Sequence, residues 1–147
     1  MLVCEMAAAL KLQGKTILDA LNAIYATYGY YLAYVQSIEL TGADAMEKAA
    51  NMMSALRNDI PASIGGVPVT AVRDYRESTD TDLLTGTKRE ILLPKSNVLE
   101  FLLGESGSVI ARPSGTEPKI KFYYTAVGAD AASAKEFLDA MVAQMSK

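Results

Sequence analysis

A short polar segment between two apolar runs holds the side chains most suited to chemistry in this sequence. Arg112 precedes the segment, Ser114, Gly115 and Thr116 lie within it, and Lys119 follows it. A guanidinium can bind two oxygens of one anion, hydroxyls donate hydrogen bonds, and glycine lets backbone N–H groups approach a ligand closely. Consecutive N–H groups in such a bend can form a concave anion site. These five residues therefore predict a site for an oxyanion such as phosphate.

A plain hairpin loop is the alternative explanation of the same segment. Turns rich in Pro, Ser and Gly are common, and Ser114 and Thr116 could simply satisfy their own backbone. Glu117 argues against an anion site, because a carboxylate repels phosphate, although it could instead hold Arg112 or a lysine in place. Composition alone leaves the anion site and the plain loop equally open.

The runs on either side of the loop predict strands of an α+β fold. Apolar residues alternate in both: Val109 and Ala111 before the loop, and Ile120, Phe122 and Tyr124 after it. Further strands are predicted over 67–75 and 98–103, with a turn over 104–107 and a solvated loop containing a short edge strand over 76–94. We expect a mostly antiparallel sheet covered on one face by two helices.

Capping residues and apolar periodicity predict the helices. The first covers residues 2–12, and the others begin at capping boxes or caps at Thr16, Thr41 and Asp130. A linker is predicted over residues 37–42, and Cys4 is predicted to be a buried helix residue. The first two helices carry much apolar surface, and such helices normally pack against further protein, so we expect this chain to be part of a longer one.

Composition excludes several classes of function. The 147 residues have a net charge of −3, which argues against a nucleic-acid surface. The sequence has one cysteine and no histidine, so a Cys–His nucleophile and an internal disulfide are impossible. Asp74, Asp80 and Asp82 lack the glycine and the terminal glutamate of a calcium loop, so no metal site is predicted. Because no apolar run approaches about 20 residues, we expect a soluble cytoplasmic protein without a membrane partner.

The string R-P-S-G-T-E-P-K-I-K-F-Y-Y, residues 112–124, resembles a known phosphate-binding signature. It is similar to that of the last domain of the α-D-phosphohexomutases, the phosphoglucomutase and phosphomannomutase family. It is most similar to the phosphoglucomutase branch, which also includes phosphopentomutases. L-P-K-S-N-V-L-E-F-L-L, residues 93–103, resembles the same domain. The resemblance spans the chain and implies two parts: residues 1–40, the helical end of a preceding α/β domain plus a linker, and residues 41–147, a C-terminal phosphate-binding domain.

The resemblance also implies a function. The parent enzyme would move a phosphoryl group between two positions of a phosphosugar through an intermediate of the glucose 1,6-bisphosphate type, using a phosphoserine and Mg²⁺ held by upstream domains. Neither T-x-S-H-N-P nor D-G-D-x-D-R occurs here, so this chain alone is expected to be inactive, with no catalytic or metal-binding residue. Arg112, Ser114, Gly115 and Thr116 match the family's phosphate contacts, and Lys119 is added by proximity and charge.

Two other functions stay open at this stage. The chain could be a stand-alone module that binds a phosphorylated ligand, or a structural interaction domain whose loop binds nothing. In the phosphohexomutase interpretation its partners are the phosphosugar substrate and the upstream domains of the same enzyme.

Overall fold

A computed structural model describes residues 1–146, and its main feature is one seven-stranded antiparallel sheet with a separate two-stranded hairpin. The helices are α1 (Leu2–Leu12), α2 (Ile17–Tyr28), α3 (Ala45–Asn58) and α4 (Ala131–Met145). The strands are β1 (Tyr30–Glu39), β2 (Ser63–Ile64), β3 (Val67–Pro68), β4 (Ala71–Asp74), β5 (Thr79–Asp82), β6 (Lys88–Glu90), β7 (Leu99–Leu102), β8 (Gly107–Pro113) and β9 (Lys119–Gly128). The large sheet has the order β1-β9-β8-β7-β4-β5-β6, and β2 pairs with β3.

One face of the large sheet forms the hydrophobic core with α3 and α4. Alternate residues of β8 and β9 point into it, as the period-two pattern predicts. Helix α4 contacts β9 and β1, and α3 contacts β8 and β9. The predicted α+β fold, with two helices on one face of an antiparallel sheet, is therefore confirmed. The core residues supplied by the two strands are Val109, Ala111, Ile120, Phe122, Tyr124 and Ala126.

Two of the three predicted helix caps are confirmed. Thr16 begins α2 in a capping box with Asp19, and Asp130 begins α4 in a reciprocal pair of hydrogen bonds with Ser133. The cap at Thr41 is wrong. Helix α3 has Asp44 as its N-cap, without a side-chain hydrogen bond, because a turn in which Ala45 N–H donates to the carbonyl of Gly42 brings the chain into the helix.

The predicted linker over residues 37–42 is partly wrong, because β1 continues to Glu39. All ten residues of this strand pair with β9, from Tyr30 opposite Gly128 to Glu39 opposite Lys119. The division at residue 40 stays a prediction, although β1, which lies before it, shares the sheet with the strands that follow. Lys147, the last residue of the predicted second domain, lies outside the described residues.

Other strand predictions need smaller corrections. The strand predicted over 67–75 is divided into β3 and β4, because Val67 and Pro68 turn back to pair with β2. The segment 76–94 contains two strands, β5 and β6, where one edge strand was expected. The strand over 98–103 is confirmed as β7, and the turn that follows it includes a 3₁₀ helix, Gly104–Ser106.

The first two helices are formed as predicted but contribute no buried residue. Leu2, Leu12, Leu18 and Ile24 are exposed. Cys4 is exposed as well, so the prediction that it is buried is wrong, while its helical position is right. Within residues 1–146, none of the helices has the length and apolar character needed to cross a membrane.

Candidate phosphate-binding site

The predicted anion-binding segment is the loop that joins β8 to β9, and two backbone hydrogen bonds close it. Ser114 N–H donates to the carbonyl of Lys119 over 2.8 Å, and Lys119 N–H donates to the carbonyl of Glu117, also over 2.8 Å. The second bond spans two residues, as in a γ-turn centred on Pro118. The loop is therefore a defined turn held at the end of two core strands.

The Ser114 hydroxyl oxygen shapes the inside of this turn. It accepts hydrogen bonds from the backbone N–H of Thr116 over 3.4 Å and of Glu117 over 3.2 Å. The plain-loop alternative is thus right about part of what Ser114 does. The hydroxyl proton is still free to be donated, and Gly115 N–H donates to no other group within residues 1–146. Two donors are available to a ligand at this turn.

The strand register places the cationic side chains on the sheet face that points away from the core. Arg112 lies directly opposite Lys121, and their neighbours Ala111 and Phe122 face the core. Since side chains alternate along a strand, Lys119 and Lys121 share that outer face of β9. The pattern brings together three cations from two adjacent strands.

A cavity of about 210 Å³ lies beside the loop. It is smaller than the roughly 300–1,000 Å³ of a pocket for a drug-sized ligand, and its size suits a small anionic group. Three cations and one carboxylate line it, an excess of two positive charges in a chain whose net charge is −3. The lining residues are Arg112, Pro113, Ser114, Gly115, Glu117, Lys119, Lys121 and Tyr123.

Four of the five predicted site residues line this cavity. Thr116 does not; it is exposed at the tip of the loop, with its N–H bonded to Ser114. Lys121 and Tyr123 also line the cavity, although neither was predicted to contact the phosphate. The period-two pattern of β9 could have found them, because it places them on the same face as Lys119.

The three cations differ in their ion pairs. Lys119 Nζ lies 2.6 Å from Glu117 Oε2. The hydrogen bond from Lys119 holds the pKa of Glu117 below its ordinary value, and the same bond raises the pKa of Lys119. Within residues 1–146, neither Arg112 nor Lys121 forms an ion pair. The full charges of Arg112 and Lys121 are therefore available to a ligand.

Strand β1, which pairs with β9, supports the β8–β9 loop through a backbone hydrogen bond. Leu40 N–H donates to the carbonyl of Pro118 over 2.8 Å, so the chain leaving β1 is tied to the turn. On the core face, the Tyr124 hydroxyl donates to Gln36 Oε1 over 2.8 Å, and burial raises the pKa of this tyrosine. The β8–β9 loop is thus anchored by a strand in a region that was predicted to be a helix end and a linker.

The site does not fit a metal ion. Across residues 1–146, no group of three or more His, Cys, Asp or Glu side chains is placed to hold one. The cavity beside the loop is lined mainly by cations, which repel Mg²⁺. The magnesium implied by the resemblance would have to be held by residues outside this chain.

Comparison with known proteins identifies the family. The model of the phosphoglucomutase/phosphomannomutase C-terminal domain matches residues 67–144, more than half of the chain. The chain belongs to this family. A phosphoglucomutase from Staphylococcus aureus strain bovine RF122 is 42% identical over 122 residues, covering 83% of this chain and 22% of the relative. The phosphoglucomutase of strain MRSA252 is 38% identical over 141 residues, covering 96% of this chain and 25% of the relative.

A solved structure has the same fold. It is the exocytosis-sensitive phosphoprotein pp63/parafusin, a phosphoglucomutase from Paramecium, in its open form. The TM-score is 0.51 at 13% identity, over 89% of this chain and 21% of the other. The resemblance noted in the sequence is confirmed at the level of the family. The chain spans about a quarter or less of the length of the relatives it matches.

Proposed function

We propose that this chain provides a phosphate-binding site of a phosphoglucomutase-type enzyme. The site would bind the non-reacting phosphate group of a phosphosugar. The observation that carries the proposal is the cavity beside the β8–β9 loop, which Arg112 and Lys121 line without forming an ion pair to any carboxylate of residues 1–146. A phosphate group is small, doubly charged and rich in acceptors, and the lining supplies cations and donors of matching kind.

Each residue would make a different contact in this phosphate-binding site. Arg112 would bind two phosphate oxygens with its guanidinium, and the Gly115 N–H and the Ser114 hydroxyl would donate to the others. Lys121 would add a second charge from the adjacent strand. Thr116 would contribute its hydroxyl from the loop tip if the tip turns inward on binding, and Lys119 would bind in competition with Glu117.

This phosphate-binding site would assist the reaction by fixing the end of the sugar that carries the non-reacting phosphate. Binding energy gained at a group that does not react can position the reactive hydroxyl at the other end. A bisphosphorylated intermediate has to be turned end for end, and a site that binds phosphate while contacting little of the sugar accepts either end. The phosphoryl transfer itself, assisted by Mg²⁺, would belong to other parts of a longer cytoplasmic enzyme, and this chain alone would be inactive.

The test is a titration of the 147-residue chain with glucose 1,6-bisphosphate, followed by NMR. Backbone signals of the β8–β9 loop are expected to shift saturably. Arg112→Ala should weaken the affinity about 10- to 100-fold, the scale for losing hydrogen bonds to a charged group. Arg89→Ala is the matched control: Arg89 lies on the same face of the sheet, four strands away in β6, and its loss should leave the affinity unchanged.

Two results would contradict the proposal. Equal weakening by Arg112→Ala and Arg89→Ala would indicate non-specific attraction to a basic surface. Absence of any shift in the loop at millimolar ligand would favour the structural interaction domain.

A further inference from the structure

Glu117 is the one lining residue whose charge opposes phosphate binding, and in the proposed function it has no part except to compete for Lys119. It is not placed at random beside the cavity, because its carboxylate reaches one particular cation. Glu117 Oε2 lies 2.6 Å from Lys119 Nζ, and both residues line the cavity. The sequence left open whether Glu117 holds Arg112 or a lysine, and the structure assigns it to Lys119.

Lys119 differs from the other two cations in its surroundings. It lies opposite Glu39 of β1, so carboxylates flank it from the turn and from the neighbouring strand. Its side chain is 22% exposed, whereas that of Glu117 is 59% exposed. Lys119 is therefore held close to the surface, while Glu117 is free to move away into solvent.

The geometry of the turn sets up a competition. The Lys119 ammonium can bind either the carboxylate of Glu117 or an incoming phosphate. The exposed side chain of Glu117 can move its carboxylate away from Lys119 by rotating about its own single bonds. Within the described part of the chain Arg112 and Lys121 form no ion pair, and Glu117 acts on Lys121 only by a weaker, longer-range attraction. The cost of displacing Glu117 falls on every binding event and lowers the affinity.

We propose that Glu117 is an affinity-limiting residue of the phosphate site, an internal carboxylate that competes with the ligand phosphate for Lys119. This inference rests on the proposed function. The competition would keep the dissociation of a bisphosphate fast, because affinity differences within one site lie mostly in the off-rate. A site that must release one phosphate and bind the other of the same molecule gains from such a competitor.

The test compares four forms of the chain: the unchanged protein, Glu117→Gln, Lys119→Met and the double variant. Glu117→Gln keeps the shape of the side chain and removes the competing charge. We expect it to tighten binding of glucose 1,6-bisphosphate about 2- to 5-fold, the scale of one ion pair near the surface. NMR line shapes should show that most of the gain lies in a slower off-rate. Glu105→Gln removes an exposed glutamate that does not line the cavity and is the matched control.

The double variant separates competition from simple repulsion. If Glu117 acts by occupying Lys119, the gain should disappear when Lys119 is already methionine. A gain that persists in the Lys119→Met background overturns the inference, since it would come from charge repulsion alone. An unchanged or weaker affinity of Glu117→Gln, with normal binding by the unchanged protein, overturns the inference and leaves the proposed function standing. Failure of both the unchanged protein and Glu117→Gln to bind overturns the two together.

Discussion

The ion pair between Arg57 and Asp74 is expected to be the costliest polar contact to break in this fold. Arg57 Nε of α3 donates to Asp74 Oδ2 of β4 over 2.8 Å, and both side chains are only 12% exposed. The other oxygen of Asp74 accepts from the backbone N–H of Arg76 and Glu77 in the turn that follows β4. One carboxylate therefore joins the helical layer to the sheet and also orders the turn.

The contacts of Asp74 allow the effect of Asp74→Ala to be estimated. Removing one partner of a buried pair costs about 3–5 kcal/mol, mainly because the other charge stays behind unpaired. Arg57 keeps a hydrogen bond to Asn97 Oδ1, at 2.6 Å, and a little solvent access, which favours the lower half of that range. The two turn N–H groups can bond to water, at a cost of about 0.5 kcal/mol each. The free energy of unfolding should therefore fall by about 4–5 kcal/mol.

Arg57→Met is expected to cost less, about 2 kcal/mol, because methionine fills most of the space without leaving a cation buried. Asp74 also keeps its two backbone donors in that variant. The double variant should be about as stable as Asp74→Ala or slightly more so, a coupling energy of about 1–3 kcal/mol.

Urea unfolding followed by circular dichroism measures all four forms, with m-values checked for constancy. A loss below about 1 kcal/mol for Asp74→Ala would refute the reasoning, since even the hydrogen bonds alone account for that much. A coupling energy near zero would show that the 2.8 Å contact between Arg57 and Asp74 does not stabilise the fold.

Two further predictions concern backbone geometry and capping. Gly107 has φ 134°, and a Cβ there would overlap the carbonyl of Thr125, so Gly107→Ala should lower the free energy of unfolding by about 2 kcal/mol or more. Gly86→Ala, with φ 72° and open space around it, should cost about 1 kcal/mol, and equal urea midpoints for the two would contradict the steric reasoning. The hydrogen bonds from Ser133 hold the pKa of Asp130 below its ordinary 3.8, so their contribution is complete above that pH and lost as the pH falls through the lower folded value. The stability difference between the protein and Asp130→Ala should be constant above about pH 5 and shrink as the pH falls below about 4, and a difference that stays constant to about pH 2 would contradict this.

The hairpin that carries the site could be predicted from the sequence because its signals are local. Alternation in β8 and β9 sets which side chains face the core, and the loop residues between them are types that favour turns. The same alternation implies that Lys121 and Tyr123 lie beside the site. The caps at Thr16 and Asp130 were predictable for the same reason, since each depends on residues three positions apart.

Strand β1 could not be predicted in this way. Its residues alternate only weakly between half-buried and exposed, because it is an edge strand, and no charged residue occurs before Glu39 to mark an outer face. What makes it a strand is pairing with β9, about 90 residues further along the chain. Non-local pairing of this kind overrides local propensity and is hard to predict from a single sequence.

The sequence also could not predict which cation beside the loop forms an ion pair, because that depends on the shape of the turn. Glu117 and Lys119 are two positions apart, and in an extended strand their side chains would share a face some 6.5 Å apart along the chain. The γ-turn shortens this separation, because Pro118 has a fixed φ close to that of its central position, and Lys119 N–H bonds to the carbonyl of Glu117. The proline therefore has a role in the electrostatics of the site. It brings the carboxylate of Glu117 to Lys119 and so leaves Arg112 and Lys121 as the cavity-lining cations without an ion pair within residues 1–146.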